Sequence, residues 1–128
     1  MISLEDLVLT DELPIYLQIM AYIKRGVVSG AIGDGGELPS RRAVSALLGV
    51  NPNTVQKAYF LLEEEGVVSS RAGARSFVTA PPEIRERLRR ELMSEAARRY
   101  VSELRRMGVS RDEAGALLER FWEREAEK

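Results

Sequence analysis

The stretch Asn51-Pro-Asn-Thr-Val-Gln-Lys-Ala-Tyr59 constrains the fold of this chain more than any other. Asn51 is a good N-cap, because its side chain can accept a bond from a free first-turn amide. Pro52 follows at the first helical position, where its missing N–H is no loss and its φ is already helical. Val55, Ala58, Tyr59 and Leu62 then recur at the spacing of one buried helix face. That leaves Asn53, Thr54, Gln56 and Lys57 pointing outward, all able to hydrogen-bond and none acidic. Asn and Gln can pair bidentately with adenine edges, and Thr can bond a base or touch a thymine methyl. A short polar set near a helix N-terminus is what a helix in the DNA major groove requires. A solvated helix start explains the same residues, so the neighbouring segments decide between the two.

Upstream, Ser40 is placed to cap a short helix whose apolar side is expected to be Ala43, Val44, Leu47 and Leu48. Gly49 supplies the left-handed residue that ends it. Two short helices around such a turn make a helix-turn-helix. Downstream, Gly66 ends the second helix, and Val67 to Val78 reads as two short strands around a turn near Gly73 and Ala74. Helix-turn-helix followed by a hairpin is a winged helix, with Arg71 and Arg75 on the wing. A preceding helix is expected from Pro14 to near Gly30, with Ile15, Ile19, Ile23 and Val27 down one side. Its Tyr16 and Tyr22 are expected in core or dimer packing. Residues 1–10 fit a short strand or a capped turn equally.

Leu38-Pro-Ser-x-Arg42, Leu48-Gly-Val-Asn-Pro-Asn-Thr-Val55, Ala58-Tyr-x-x-Leu-Glu-x-Glu-Gly66 and Gly73-x-x-x-Phe-Val78 together resemble the GntR family of bacterial transcription regulators. The Asn-Pro-Asn-Thr-Val and Ala-Tyr variants, with Pro14-Ile-Tyr-x-Gln-Ile19, are similar to its YtrA subfamily, and the likeness runs through residues 14–78. The resemblance implies a homodimeric, sequence-specific DNA-binding repressor, with double-stranded operator DNA as partner. It implies DNA contacts from Ser40, Arg41, Arg42, Asn51, Asn53, Thr54, Gln56, Lys57, Arg71, Gly73 and Arg75. Two departures stand out. The family usually has Gly-x-Gly-Thr in the wing, where this chain has Gly73-Ala-Arg75-Ser76, so a cationic side chain replaces bare backbone. Such an arginine can enter a narrow A·T-rich minor groove. An acid common before the motif arginine is here Arg41, which adds phosphate affinity.

The chain has 128 residues, about one domain's length, and a formal net charge of −1. Its pI of about 5.7 runs against the basic footprint expected of a DNA binder. The acids, however, cluster away from the expected contact face, at Glu5, Asp6, Asp11 and Glu12 and at Glu63 to Glu65. With neither cysteine nor histidine, there is no disulfide framework, thiolate metal site, cysteine nucleophile or imidazole base. No calcium-loop or phosphate-binding glycine motif is present, so neither an enzyme nor a cofactor is expected. An acidic start and the absence of a long apolar run lead us to expect a cytoplasmic chain with no membrane partner.

Ala80-Pro-Pro82 marks the expected boundary, giving a DNA-binding domain over 1–80 and a helical dimerisation segment over 81–128. Ile84, Leu88, Leu92, Ala96, Tyr100 and Leu104 recur at every fourth position of a helix roughly 38 Å long. Gly108 ends it, and Ser110-Arg-Asp-Glu113 is a capping box for a last helix bearing Leu117, Phe121 and Trp122. The fold class is thus mainly α with a small β-hairpin: a winged helix-turn-helix, then a two-helix hairpin. Pairing two such hairpins across a two-fold axis covers both stripes and suits a palindromic operator; folding back on the same subunit's winged helix is the other way to cover them. A small apolar effector pocket near Met93, Tyr100, Phe121 and Trp122 is conceivable, and packing explains those residues equally. The contrasting function is a winged helix used for protein assembly without specific DNA binding, supported by Arg75 and the acidic balance.

Overall fold

The computed structural model describes residues 1–71 and 75–126. Five helices and one hairpin follow in order: α1 (Ile15–Ser29), α2 (Arg41–Leu48), α3 (Pro52–Glu64), β1 (Val68–Arg71), β2 (Arg75–Val78), α4 (Pro82–Arg106) and α5 (Arg111–Ala126). They form two compact units, Met1–Arg89 and Arg90–Lys128.

In the first unit, α1 and α2 both pack on α3, and α3 packs on β1. Ile19, Ile23 and Val27 of α1 meet Val55, Ala58, Tyr59 and Leu62 of α3, all buried, while Ile15 is half-buried at the edge. The end of α3 follows from Gly66, which takes φ 80° and lets Gly66 N–H bond Glu63 O and Val67 N–H bond Leu62 O. That double closure satisfies the last carbonyls and aims the chain into the hairpin. Strands β1 and β2 pair antiparallel, with Ser69 opposite Phe77 and Arg71 opposite Arg75. Segment 35–38 lies along the free edge of β2 through Gly35 N–H to Val78 O, Val78 N–H to Gly36 O and Leu38 N–H to Ser76 O. The expected turn at Gly73 and Ala74 lies outside the described residues.

Three expectations need correction. Ala43 and Leu47 are exposed, and of the α2 apolar set only Val44 is fully buried, with Leu48 half-buried. An eight-residue helix lying on one neighbour buries one narrow row, and Val44 and Leu48 occupy it. Thr54, expected outward, is half-buried. Residues 1–10 take the second of their two expected forms, a capped turn closed by Glu5 N–H to Ser3 Oγ and Leu7 N–H to Leu4 O, within an arm tied down by buried Leu4 and by Ile2 N–H to Glu37 O. Gln18 holds the arm's far end: its amide nitrogen donates to Thr10 O and Leu13 O, and its oxygen accepts from Thr10 N–H at 2.8 Å. This arm is the physical reason for a glutamine on the buried face of α1.

The third correction concerns the start of α4. Ala80 and Pro81 precede the first turn of α4, but the first compact unit continues to Arg89. Leu88 is fully buried in this core, so it is spoken for within its own subunit rather than left for a dimer interface as expected, and Ile84 packs half-buried against the same core. Arg87 donates to Glu65 O at 2.6 Å, placing a cation on the carbonyl end of α3.

The second unit contains the rest of α4 and α5. Gly108 takes φ 74° and ends α4, with Val109 N–H bonding Leu104 O. Ser110 caps α5 by accepting from Glu113 N–H at 3.2 Å. The Tyr100 hydroxyl donates to Ala114 O at 2.6 Å and ties the two helices. None of this unit's described residues is fully buried.

Candidate nucleic-acid interface

Three elements bring the expected contact residues to the surface of the first unit. At the start of α2, Ser40 is spent on capping: its hydroxyl accepts from Ala43 N–H at 3.1 Å. Arg42 is exposed and Arg41 half-exposed. The loop before them is pinned by Tyr59, whose hydroxyl donates to Pro39 O at 2.8 Å. Burial pushes the Tyr59 phenol far above its ordinary value, so it stays protonated and remains a donor. Tyr59 thereby ties α3 to the loop that leads into α2.

Helix α3 begins as its caps dictate. Asn51 accepts from Asn53 N–H at 2.8 Å, so its side chain serves the backbone. Asn53, Gln56 and Lys57 are exposed. Lys57 carries its ammonium 4.0 Å from the centre of the Tyr16 ring on α1, a cation–π contact that fixes its direction. Ser45 closes the turn between α2 and α3 by donating to Val50 O.

The wing adds the third element. A shallow groove joins Arg41, Gln56 and Phe60 to Glu63 and to Ser70 and Ser76 of the hairpin. Phe60 is 56% exposed one turn beyond Gln56, a residue the sequence pattern left unremarked. Its only signal was an aromatic residue off the buried face of α3. The Ser70 hydroxyl donates to Glu63 at 3.2 Å and couples wing to helix. Arg71 lies over the Phe77 ring at 4.5 Å. Arg75 does not project freely: it pairs bidentately with Glu37, Nε to Oε2 at 3.0 Å and Nη2 to Oε1 at 2.7 Å. The Arg75 guanidinium holds the Glu37 carboxyl below its usual value. Gly73 lies outside the described residues. The structure thus gathers Arg41, Gln56 and the hairpin around one groove and turns Lys57 toward α1.

This geometry is that of a known family. The model for bacterial regulatory proteins of the gntR family matches residues 15–78. The chain belongs to that family. Among curated proteins it is 30% identical over 110 residues to the HTH-type transcriptional repressor YtrA of Bacillus subtilis, covering 86% of this chain and 80% of the relative. This places the GntR regulator in the YtrA subfamily. A GntR family transcriptional regulator from Listeria monocytogenes superposes with a TM-score of 0.77 at 29% identity, over 88% of this chain and 98% of its own. The AraR DNA-binding domain, solved in complex with operator ORX1, gives a TM-score of 0.50 at 28% identity over 56% of this chain and 87% of its own. The protein is therefore a winged-helix transcriptional regulator of a DNA-binding family, not an enzyme. Among the described residues no helix is long and apolar enough to cross a membrane.

Proposed function

We propose that this GntR regulator is a homodimeric repressor that binds a palindromic operator. In this reading the exposed flank of α3 enters the major groove, α2 crosses the phosphate backbone and the wing lies over the adjacent minor groove. The observation that carries it is the composition of the α3 surface. Once Val55, Ala58, Tyr59 and Leu62 are buried, the first exposed turns present Asn53 and Gln56, and Arg41 of α2 shares a groove with Gln56. Asn53 and Gln56 read base edges; Arg41, Arg42 and Arg71 contact phosphates. Ser40, Asn51 and Thr54 hold the frame, and Lys57 contributes charge from its place over Tyr16.

Repression follows from the family likeness to YtrA, named a repressor, and dimerisation from the second unit. There the largely apolar groove lined by Tyr100, Leu104, Leu117, Leu118, Phe121 and Trp122, with Glu125 among them, measures about 770 Å³, and no described residue of its own unit covers it. A second copy of the same hairpin covers it isologously. Leu92 is half-buried and Ala96 exposed on the preceding turns of α4, where they extend that surface.

Selection of bound sequences from a random duplex pool tests this reading. Wild type is expected to return a two-fold symmetric motif, and Asn53→Ala or Gln56→Ala to lose preference at one position in each half-site. A removed bidentate contact costs roughly 1–3 kcal/mol of discrimination. Identical motifs from all three proteins would remove α3 as the reader.

A further inference from the structure

We propose that Glu37 is an internal competitor for DNA phosphate, holding the wing arginine Arg75 in a neutralised state and so setting the affinity of this regulator for DNA of any sequence. The inference rests on the interface proposed above and adds a residue that the interface does not itself contain. Its basis is sheet geometry. Glu37 bridges to Phe77 on the free edge of β2, while Arg75 lies two residues before Phe77 on the same face. The two side chains are therefore diagonal neighbours across a strand pair, within reach of long side chains. They meet in a fork of two hydrogen bonds at 2.7 and 3.0 Å, and Arg75 also lies 5.4 Å over the Phe77 ring. A carboxylate bound in this way offers the guanidinium the same planar pair of oxygens that a phosphate offers.

Two observations make this a device for binding rather than for folding. Arg75 is 59% exposed and Glu37 25%, so the cation stands outermost and the acid beneath it. Exposed ion pairs contribute little to stability. The pair also borders the proposed contact face: Glu37 and Arg75 line one concavity with Ser40, Arg41 and Ser76. A phosphate arriving at Arg41 thus meets an arginine that already has its counterion. Binding must exchange one anion for another at Arg75, and the free energy gained is correspondingly reduced.

The test is a double-mutant cycle read by fluorescence anisotropy on a random-sequence duplex across several salt concentrations. Glu37→Gln is expected to tighten binding roughly two- to fivefold per wing, the scale of an exposed ion pair. It should steepen the slope of log K against log salt by about 0.9 per phosphate gained. Arg75→Ala alone should weaken binding modestly, because it leaves the Glu37 carboxylate unpaired beside Arg41, and in the Glu37→Gln background it should abolish the gain. Were Glu37→Gln to tighten binding equally with and without Arg75, simple charge removal would explain it and the proposal would fall; no tightening at all overturns it too. Arg42→Ala in the same assay separates the premises: if it leaves affinity unchanged, the interface reading fails, whereas a loss there with no effect of Glu37→Gln rejects only the competitor. Glu37→Ala, with melting curves for every variant, guards against a misfolded glutamine substitution.

Discussion

Leu62 and Trp122 are both large apolar side chains on helices with one apolar side, yet Leu62 is fully buried and Trp122 is 72% exposed. The first unit satisfies its apolar surface internally, with α1, α3, the hairpin and the opening turns of α4 closing around one core. On the face of α2 and α3 it presents Arg42, Asn53, Gln56 and Lys57, with Phe60 exposed beside them. The second unit does the reverse. Met93, Val101, Leu118 and Phe121 are each about half exposed, and the hydrogen bond from Tyr100 to Ala114 ties its two helices without covering those side chains. Leu118, Phe121 and Trp122 line one groove, and an exposed apolar patch of this kind is typical of interaction sites. The contrast assigns different work to the two regions: in one the surface left over after folding is chemistry, in the other it is hydrophobic area.

The contrast is broken most directly in the second unit. Leu117→Glu or Phe121→Glu places a charge inside the proposed dimer surface, and sedimentation equilibrium should show a monomer. Because two linked half-sites gain roughly 10²–10⁴ in avidity, operator affinity should fall by that order while the first unit keeps its fold. A variant that remains dimeric removes these helices from the interface. Leu62→Ala probes the other region. It leaves a cavity between α3 and the remaining core, so a loss of about 2–5 kcal/mol in denaturant unfolding is expected, independent of protein concentration. If instead stability depended on concentration there as well, the first unit would not be self-sufficient.

How far each region was legible follows from the same difference. Asn51, Pro52, Gly49 and Gly66 announce α3 because caps and left-handed glycines act locally, and the structure places each where the sequence predicts. The buried face of α3 was equally plain, since one period repeats along it. The stripe on α4 was legible as a helix but not as a destination. Ile84 and Leu88 carry the same spacing as Leu92 and Tyr100, and periodicity does not record where the covering surface changes. The Glu37–Arg75 pair was illegible for another reason: its partners are 38 residues apart and meet only through the register of β2 with segment 35–38. Ala43 and Leu47 misled because an apolar pattern on an eight-residue helix overstates what one neighbour can bury.

Smaller effects sharpen the account of the polar face. Tyr59→Phe keeps the ring packed and removes only the donor to Pro39 O. A loss of about 1–3 kcal/mol is expected if the carbonyl is left unsatisfied, and nearer 1 kcal/mol if water reaches it. The informative readout is operator affinity beyond the change in stability, because the bond positions the loop that delivers Arg41 and Arg42. Equal operator affinity at full saturation of the folded state removes that positioning role.

The smallest expected effect is the titration of Glu37. Its carboxyl is held below the ordinary value, first by the hydrogen bond from Arg75, which outweighs the opposing desolvation, and further by the charges of Arg75 and the N-terminal amine. A lowered folded-state value means that any stability from the pair is fully present above the unfolded value and is lost as the pH falls through the folded one. The pair is therefore closed at neutral pH, and its opening is displaced to lower pH than that of a free glutamate. Carbon-detected NMR of the Glu37 carboxyl should give a midpoint below that of a free glutamate in wild type and one close to it in Arg75→Ala. An ordinary midpoint in both proteins means that the fork does not persist in solution, and the wing arginine is then as free as the arginines of α2.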